Sequence, residues 1–144
     1  MKLEIVTPER IAYSEEIDQV SLPTANGQIT VLPGHVSLVT SLLPGELILK
    51  KGNTTIVLAS GGGFAQVSGN KVSVMTDLAQ RAEEIDEKSA EDARKRAQAA
   101  LAEKGRLSEE EFAATAAALQ KALAQLKVKR RHFRRNIPKP ETTT

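Results

Sequence analysis

The chain has 144 residues, no cysteine and a formal net charge of +2. This length accommodates one ordinary domain or two small ones, since domains run from ~50 to ~250 residues. The lack of cysteine excludes disulfides, thiolate metal sites and thiol nucleophiles, and it fits a reducing compartment. The N-terminus contains no apolar run suited to a signal peptide or a membrane span, so we expect any membrane association to be indirect.

Charge is distributed unevenly along the chain. Residues 1–82 carry 6 basic and 7 acidic side chains, residues 83–111 carry 6 and 10, and residues 112–144 carry 8 and 1. The corresponding net charges are −1, −4 and +7, which sum to +2. A neutral segment is therefore followed by an acidic one and then by a strongly basic one.

The first part of the chain, to about residue 77, consists of short runs in which apolar and polar residues alternate. Turn residues such as Pro33-Gly34 and Pro44-Gly45 separate the runs, as expected for antiparallel strands with one buried face. Strands are predicted at residues 3–7, 10–13, 18–22, 28–32, 36–42, 46–50, 55–59, 64–68 and 71–76. So many short strands predict a β-sandwich or flattened barrel of about ten strands.

The second part, from Glu83 onward, is rich in alanine and predicts an antiparallel pair of helices. Ser108 followed three residues later by Glu111 has the form of a capping box, and Gly105 marks the end of the preceding helix. Apolar residues at helical spacing predict the seam between the helices, with Ala90, Ala93, Ala97 and Ala100 on one side and Phe112, Ala116, Leu119, Leu123 and Leu126 on the other.

These patterns predict a sandwich domain at residues 1–84, a helical hairpin at 85–137 and a flexible tail at 138–144. A seam lined by alanine buries little area, and burial stabilises by only ~25 cal/mol per Å². We therefore expect the hairpin to be detachable.

Few residues suggest catalysis or metal binding. His35 lies in the turn Leu32-Pro33-Gly34-His35, with no second ligand nearby in sequence, and is predicted to be structural. The run Gly61-Gly62-Gly63 leads into a strand-like segment instead of a helix carrying Lys and Ser/Thr, so a close approach of backbones is favoured over a phosphate site. No catalytic residue, cofactor or metal site is predicted.

The strongest local signal is a basic run at residues 127–135, which holds six Lys or Arg side chains in nine positions. Cations at a helix C-terminus account for two or three of them. Nucleic-acid binding is a second interpretation, although only Phe133 is available for stacking. Docking on an acidic protein surface is a third. The residues alone leave the three interpretations open.

Six motifs in order resemble the epsilon-subunit family of bacterial F-type ATP synthases, equivalent to the mitochondrial delta subunit. The motifs are Val6-Thr7-Pro8, Asn26-Gly27-Gln28-Ile29, Leu32-Pro33-Gly34-His35, Leu43-Pro44-Gly45, Gly61-Gly62-Gly63-Phe64 and Ile85-Asp86. Each motif is weak alone, but the order, the chain length and the β-then-hairpin organisation make the resemblance specific.

The resemblance implies a ten-stranded sandwich that binds the gamma subunit and the ring of c subunits, and turns with them as a rotor in a proton-translocating enzyme. It implies a non-catalytic, peripheral subunit without a cofactor, at the cytoplasmic face of the bacterial plasma membrane. The hairpin would lie folded or extend toward the alpha and beta subunits, where it opposes ATP hydrolysis. The alternative hypothesis is a nucleic-acid-binding adaptor that uses the basic helix.

Site residues follow from the resemblance by position. The surface facing gamma and the c-ring is expected to include Leu32, Pro33, Gly34, His35, Leu42 and Leu43. The basic residues expected to approach an acidic segment of beta are Lys121, Lys127, Lys129, Arg130, Arg131, Arg134 and Arg135.

Some family members bind ATP through the pattern Ile/Leu-Asp-x-x-Arg-Ala. The segment here is Ile85-Asp86-Glu87-Lys88-Ser89-Ala90, in which Ser89 replaces the arginine. Gln80 and Gln125 stand where the binders carry an acidic residue and an arginine. Asp86 and Arg96, with Lys121 as a further basic residue at a position where it could help, therefore predict at most a weak ATP site.

Overall fold

A computed structural model describes residues 1–103 and 105–136, with side chains described as far as His132. Ten strands precede two helices, α1 (Glu87–Ala102) and α2 (Glu109–Asn136), with a 3-10 turn at Ala82–Glu84 between strands and helices. The strands are β1 (Lys2–Val6), β2 (Ile11–Glu16), β3 (Gln19–Thr24), β4 (Gly27–Val31), β5 (Leu38–Leu42), β6 (Gly45–Lys51), β7 (Thr54–Ser60), β8 (Gly63–Ser68), β9 (Lys71–Thr76) and β10 (Ala79–Arg81). The predicted fold class, a β-sandwich followed by an antiparallel hairpin, is confirmed.

The strands form one continuous sheet in the order β10-β7-β6-β3-β5-β8-β9-β1-β2, with β4 paired to β3. The β1–β9 pair is parallel, and the other pairs are antiparallel. A sheet of this length curls on itself and encloses one apolar face. The core comprises alternate residues of most strands, among them Leu3, Ile5, Val20, Leu22, Leu47, Leu49, Val72 and Val74.

Strand β10 was not among the predicted strands. It has three residues, Ala79–Arg81, and pairs with β7. Three residues are too few to show an alternating pattern, so this strand is recognisable only from its hydrogen bonds. The strand predicted at residues 36–42 begins at Leu38, since the residues before it belong to the loop after β4.

The helices begin and end near the predicted signals. Asp86 caps α1, because its carboxylate accepts hydrogen bonds from the amides of Lys88 and Ser89. Ser108 Oγ accepts from the amide of Glu111 at 3.2 Å, at the start of α2. Gly105 has a φ of 82°, the left-handed conformation that lets the chain leave α1.

The predicted seam between the helices is wrong in part. Phe112 and Leu123 are exposed, whereas Ala122, Ala124, Leu126 and Val128 are buried. The reason is that the second half of α2 has two neighbours, α1 and the sandwich. Val128 packs in a small cluster with Ala59, Ala82 and Ile85, separate from the main core.

Two predictions cannot be compared with the structure. The predicted tail at residues 138–144 lies outside the described residues, and the side chains of Arg134 and Arg135 lie outside them as well.

Candidate functional site

A row of apolar side chains crosses the outer face of β8, β9, β1 and β2. The strand registers align Phe64 with Met75, Met75 with Val6, and Val6 with Ile11. Phe64, Met75 and Ile11 are 55%, 52% and 62% exposed, and Val6 is half-buried. Directly opposed residues lie about 4.5–5.5 Å apart, so these four side chains form one continuous surface. We refer to them as the apolar row.

The apolar row points outward because of the strand phase. Its chain neighbours Ala65 and Val74 lie in the core, and successive side chains of a strand alternate between faces. The β1–β2 register shifts between Ile5 and Val6, and this bulge turns Ile11 outward while Tyr13 stays buried.

Val39 on β5 extends the same face. It pairs with Gln66 on β8, next to the pair formed by Ser41 and Phe64, and it is exposed. Contiguous exposed apolar residues of this kind mark protein interaction surfaces.

The predicted Leu32–His35 motif lies in the loop between β4 and β5. His35 N donates to the carbonyl of Leu32 at 3.1 Å, and Gly34 has a φ of 84°, so the segment is a tight turn. His35 Nδ1 lies 2.8 Å from the carbonyl oxygen of Val36, consistent with a structural histidine. Leu32 and Val36 are exposed at this loop.

The predicted pair Leu42 and Leu43 divides between interior and surface. Leu42 is the last residue of β5 and is buried in the core, whereas Leu43 is exposed. Its amide donates to the carbonyl of Pro23 at 3.0 Å, which ties the loop to β3. Leu43 is therefore the member of the pair that a partner can reach.

The basic residues of α2 face carboxylates in the folded hairpin. Four basic side chains of α2 contact the sandwich or the 3-10 turn: Lys121 lies 3.2 Å from Asp77, Lys127 3.5 Å and Arg131 2.6 Å from Glu46, and Lys129 Nζ donates to the Ala82 carbonyl at 2.9 Å. Arg130 contacts α1, at 3.2 Å from Glu91 and 3.6 Å from Glu87. His132 lies 3.6 Å from Glu83. Lys121, Lys127, Arg130 and Arg131 thus pair with carboxylates of the same chain, whereas Lys129 binds a backbone carbonyl.

The contacts fall into two groups. Arg130 binds Glu87 and Glu91 of α1, so this contact lies within the hairpin. Lys127 and Arg131 bind Glu46 of β6, so they join the hairpin to the sandwich. Leu47 and Leu49 of β6 point into the core. Successive side chains of a strand alternate between its two faces, so Glu46 lies on the opposite face, which α2 covers.

The residues of the predicted weak ATP site are not brought together. The Ser89 hydroxyl donates to Asp86 at 3.0 Å and, with the amides of Ser89 and Lys88, lowers the pKa of that carboxyl. Arg96 is exposed ten residues further along α1, roughly 15 Å along the helix axis. Gln125 Nε2 donates to Gln80 Oε1 at 2.8 Å, a neutral pair.

The glycine run is a site of close backbone approach, as its sequence context predicts. A Cβ at Gly61 would overlap the Asp77 carboxylate, and one at Gly63 would overlap the carbonyl of Met75. Over residues 1–103 and 105–136 no cluster of His, Asp or Glu is arranged to hold a metal ion. Within the same ranges no helix has the length and apolar character needed to cross a membrane.

Sequence reasoning missed the apolar row and Glu46. Ile11, Phe64 and Met75 are apolar residues at outward-facing positions of their strands. They can be recognised as outward-facing once the buried residues of the same strands show which positions face the core. Glu46 stands at the start of a strand like many exposed glutamates, so no local signal marks it.

Comparison with known families gives two matches. Residues 1–82 match the family described as the beta-sandwich domain of the ATP synthase delta/epsilon chain. Residues 83–130 match the long alpha-helix domain of the same chain.

Curated relatives span nearly the same length. A protein of Herpetosiphon aurantiacus named ATP synthase epsilon chain is 43% identical over 136 residues, covering 94% of this chain and 97% of the relative. One of Dehalococcoides mccartyi strain CBDB1 with the same name is 44% identical and covers 89% and 91%.

Solved structures show the same architecture. A chain in the Euglena gracilis mitochondrial ATP synthase, in an assembly of OSCP, F1 and c-ring, aligns with a TM-score of 0.71 at 26% identity, covering 87% of this chain and 78% of that one. A chain of the Tetrahymena thermophila mitochondrial ATP synthase, in its central stalk and c-ring, aligns at 0.58 with 16% identity, covering 90% and 96%, and supports the fold alone.

Proposed function

This chain belongs to the delta/epsilon family of ATP synthase subunits, and we propose that it is the epsilon subunit in the central stalk of a proton-translocating F-type enzyme. It is a non-catalytic subunit that joins gamma to the ring of c subunits. It is held at the cytoplasmic face of the bacterial plasma membrane through these partners.

The observation that carries the proposal is the apolar row. The hairpin packs on β6, β7 and the 3-10 turn, which leaves Phe64, Met75 and Ile11 uncovered on another part of the sheet. An exposed apolar face is costly in water, at ~25 cal/mol per Å², and docking of a partner removes that cost. We assign this face to gamma, and the exposed loop residues Leu32 and Leu43 to the c-ring.

The test replaces Phe64 and Met75 together by glutamine and measures co-purification of the subunit with gamma. We expect binding to fall at least about tenfold, because central apolar residues carry most of the energy of such an interface. Asn53→Gln is the control, since Asn53 is exposed in the turn between β6 and β7, two strands that do not carry the apolar row. Normal gamma binding by the double variant, or an equal loss in the control, would exclude the apolar row as the gamma surface.

The hairpin serves regulation in this proposal. Detached from the sandwich, it extends along gamma, and its basic residues approach an acidic surface on the beta subunit and oppose ATP hydrolysis. Two features support detachment: the second apolar cluster is small, built around Val128, and the ion pair between Lys121 and the exposed Asp77 stabilises by only ~0–1 kcal/mol.

A further inference from the structure

We propose that Glu46 is the latch of the folded hairpin, a carboxylate of the sandwich that binds Lys127 and Arg131 and keeps both from an acidic partner until the hairpin detaches. The latch is a property of the isolated chain. Its consequence for ATP hydrolysis rests on the regulatory function proposed above.

The geometry places both cations on one carboxylate. Arg131 Nη1 lies 2.6 Å from Glu46 Oε2, and Lys127 Nζ lies 3.5 Å from Glu46 Oε1. Lys127 and Arg131 are four residues apart, so they project from the same face of α2. Each oxygen of the carboxylate therefore has one cation of the hairpin beside it.

The burial of Glu46 separates this contact from the other links between hairpin and sandwich. The Glu46 side chain is 7% exposed, whereas the side chain of Asp77, which pairs with Lys121, is 57% exposed. Charges interact more strongly where water is excluded, so the Glu46 contact couples the hairpin to the sandwich more tightly than the Asp77 contact does.

Glu46 also depends on the hairpin for its compensation. The Oε1 atom of Glu46 is buried and accepts no hydrogen bond from any described residue. The negative charge of the carboxylate is therefore balanced by the two ion pairs with Lys127 and Arg131. If Arg131 loses its charge while the hairpin stays docked, a carboxylate remains buried with only the more distant lysine. Such an uncompensated buried charge is strongly unfavourable, and detachment relieves it by admitting water.

This asymmetry gives a distinctive expectation. Arg131→Met should release the hairpin more than Glu46→Gln does, because the first variant leaves a buried charge and the second does not. Combining the two substitutions should restore docking, because neither charge then remains. A residue that only fills space would not produce this rescue.

The experiment measures the docked fraction in the full chain. Since the sequence has no cysteine, Asn53→Cys and Gln120→Cys provide two unique sites for spin labels, both at exposed positions, one in the turn after β6 and one on α2. Pulsed electron resonance then separates docked from detached molecules by the distance between the labels.

We expect Arg131→Met to raise the ratio of detached to docked molecules about tenfold or more, and the added Glu46→Gln to reverse most of that rise. Lys71→Met is the control, since Lys71 lies on the surface of the sandwich, 4.0 Å from Glu4, and makes no ion pair with the hairpin among the described residues. An unchanged ratio in Arg131→Met, or no recovery in the double variant, overturns the latch.

The assembled enzyme separates the latch from the regulatory function. Glu46→Gln keeps Lys127 and Arg131 free for a partner, so it should lower the rate of ATP hydrolysis. If the spin labels show that Glu46→Gln detaches the hairpin in the isolated chain, while ATP hydrolysis by the assembled enzyme with the same variant stays unchanged, the latch is supported and the regulatory proposal is overturned.

Discussion

The side-chain amide of Gln125 on α2 donates a 2.8 Å hydrogen bond to the side-chain carbonyl of Gln80 on β10. This pair joins the hairpin to the sandwich without any charge. Nearby, Asp86 is occupied by its own helix, with Ser89 donating to it through both hydroxyl and amide. Neither arrangement contains a cationic side chain that could bind a phosphate group.

We therefore predict that the isolated subunit binds ATP weakly or not at all. Calorimetric titration should give no measurable heat at micromolar ATP. Ser89→Arg should strengthen any binding, because an arginine adds a charge-assisted and often bidentate contact to phosphate. Micromolar affinity of the unsubstituted chain would contradict the prediction.

The sandwich should fold and bind gamma without the hairpin. Its core of residues such as Leu3, Leu22 and Leu47 is complete before the 3-10 turn. Truncation after residue 84 uncovers the small apolar patch around Ala59 and the carboxylate of Glu46, which water can then solvate. A chain of residues 1–84 should show cooperative thermal unfolding and should co-purify with gamma, and an unfolded or non-binding fragment would refute this.

The basic run should matter for hydrolysis and not for assembly. We expect alanine at the six basic positions Lys127, Lys129, Arg130, Arg131, Arg134 and Arg135 to leave the subunit bound and to raise ATP hydrolysis, with much less effect on synthesis. The reason is that the extended hairpin loses its contact with the acidic surface of beta. Deletion from residue 87 onward should raise hydrolysis at least as much. Unchanged hydrolysis in both variants would show that the hairpin is not an inhibitor.

Core and surface leucines should differ in their effect on stability. Leu47 is fully buried in the sandwich, so Leu47→Ala should lower the free energy of unfolding by ~2–5 kcal/mol, through lost burial and the cavity left behind. Leu123→Ala, at an exposed position on α2, should cost less than about 1 kcal/mol. Urea denaturation followed by circular dichroism measures both, and equal effects would contradict the burial described for β6.

Acid should weaken the start of α1. Hydrogen bonds from Ser89 and Lys88 lower the pKa of Asp86, so the folded state favours its charged form. The resulting stabilisation is complete above the pKa of an unfolded aspartate, about 4, and is lost as the pH falls through the lowered folded value.

Asp86→Asn should remove that part of the pH dependence, because asparagine still caps a helix but does not titrate. The measurement is helix content by circular dichroism from about pH 7 to about pH 2, a range that includes the titration of carboxylates. Helix content should fall less steeply with acid in the variant than in the unsubstituted chain. Identical acid profiles would exclude Asp86 as the titrating cap.

Local patterns were sufficient to predict most of the elements. Alternation in segments such as Lys71–Thr76, and turn signals such as Pro33-Gly34, are properties of neighbouring residues, so they can be read without knowledge of distant contacts. The same is true of Ser108 and Gly105 at the ends of the helices. Six ordered motifs then placed the chain in its family, which the comparisons confirm.

Other features were decided only by the tertiary structure. Phe112 and Leu123 continue an apolar spacing, yet they are exposed, because α2 divides its surface between α1 and the sandwich. The apolar row exists because β1 lies between β9 and β2, a register that joins residues distant in sequence. Glu46 and Arg131 are 85 positions apart. No periodicity spans that distance, since packing and not sequence proximity determines which helix covers which strand.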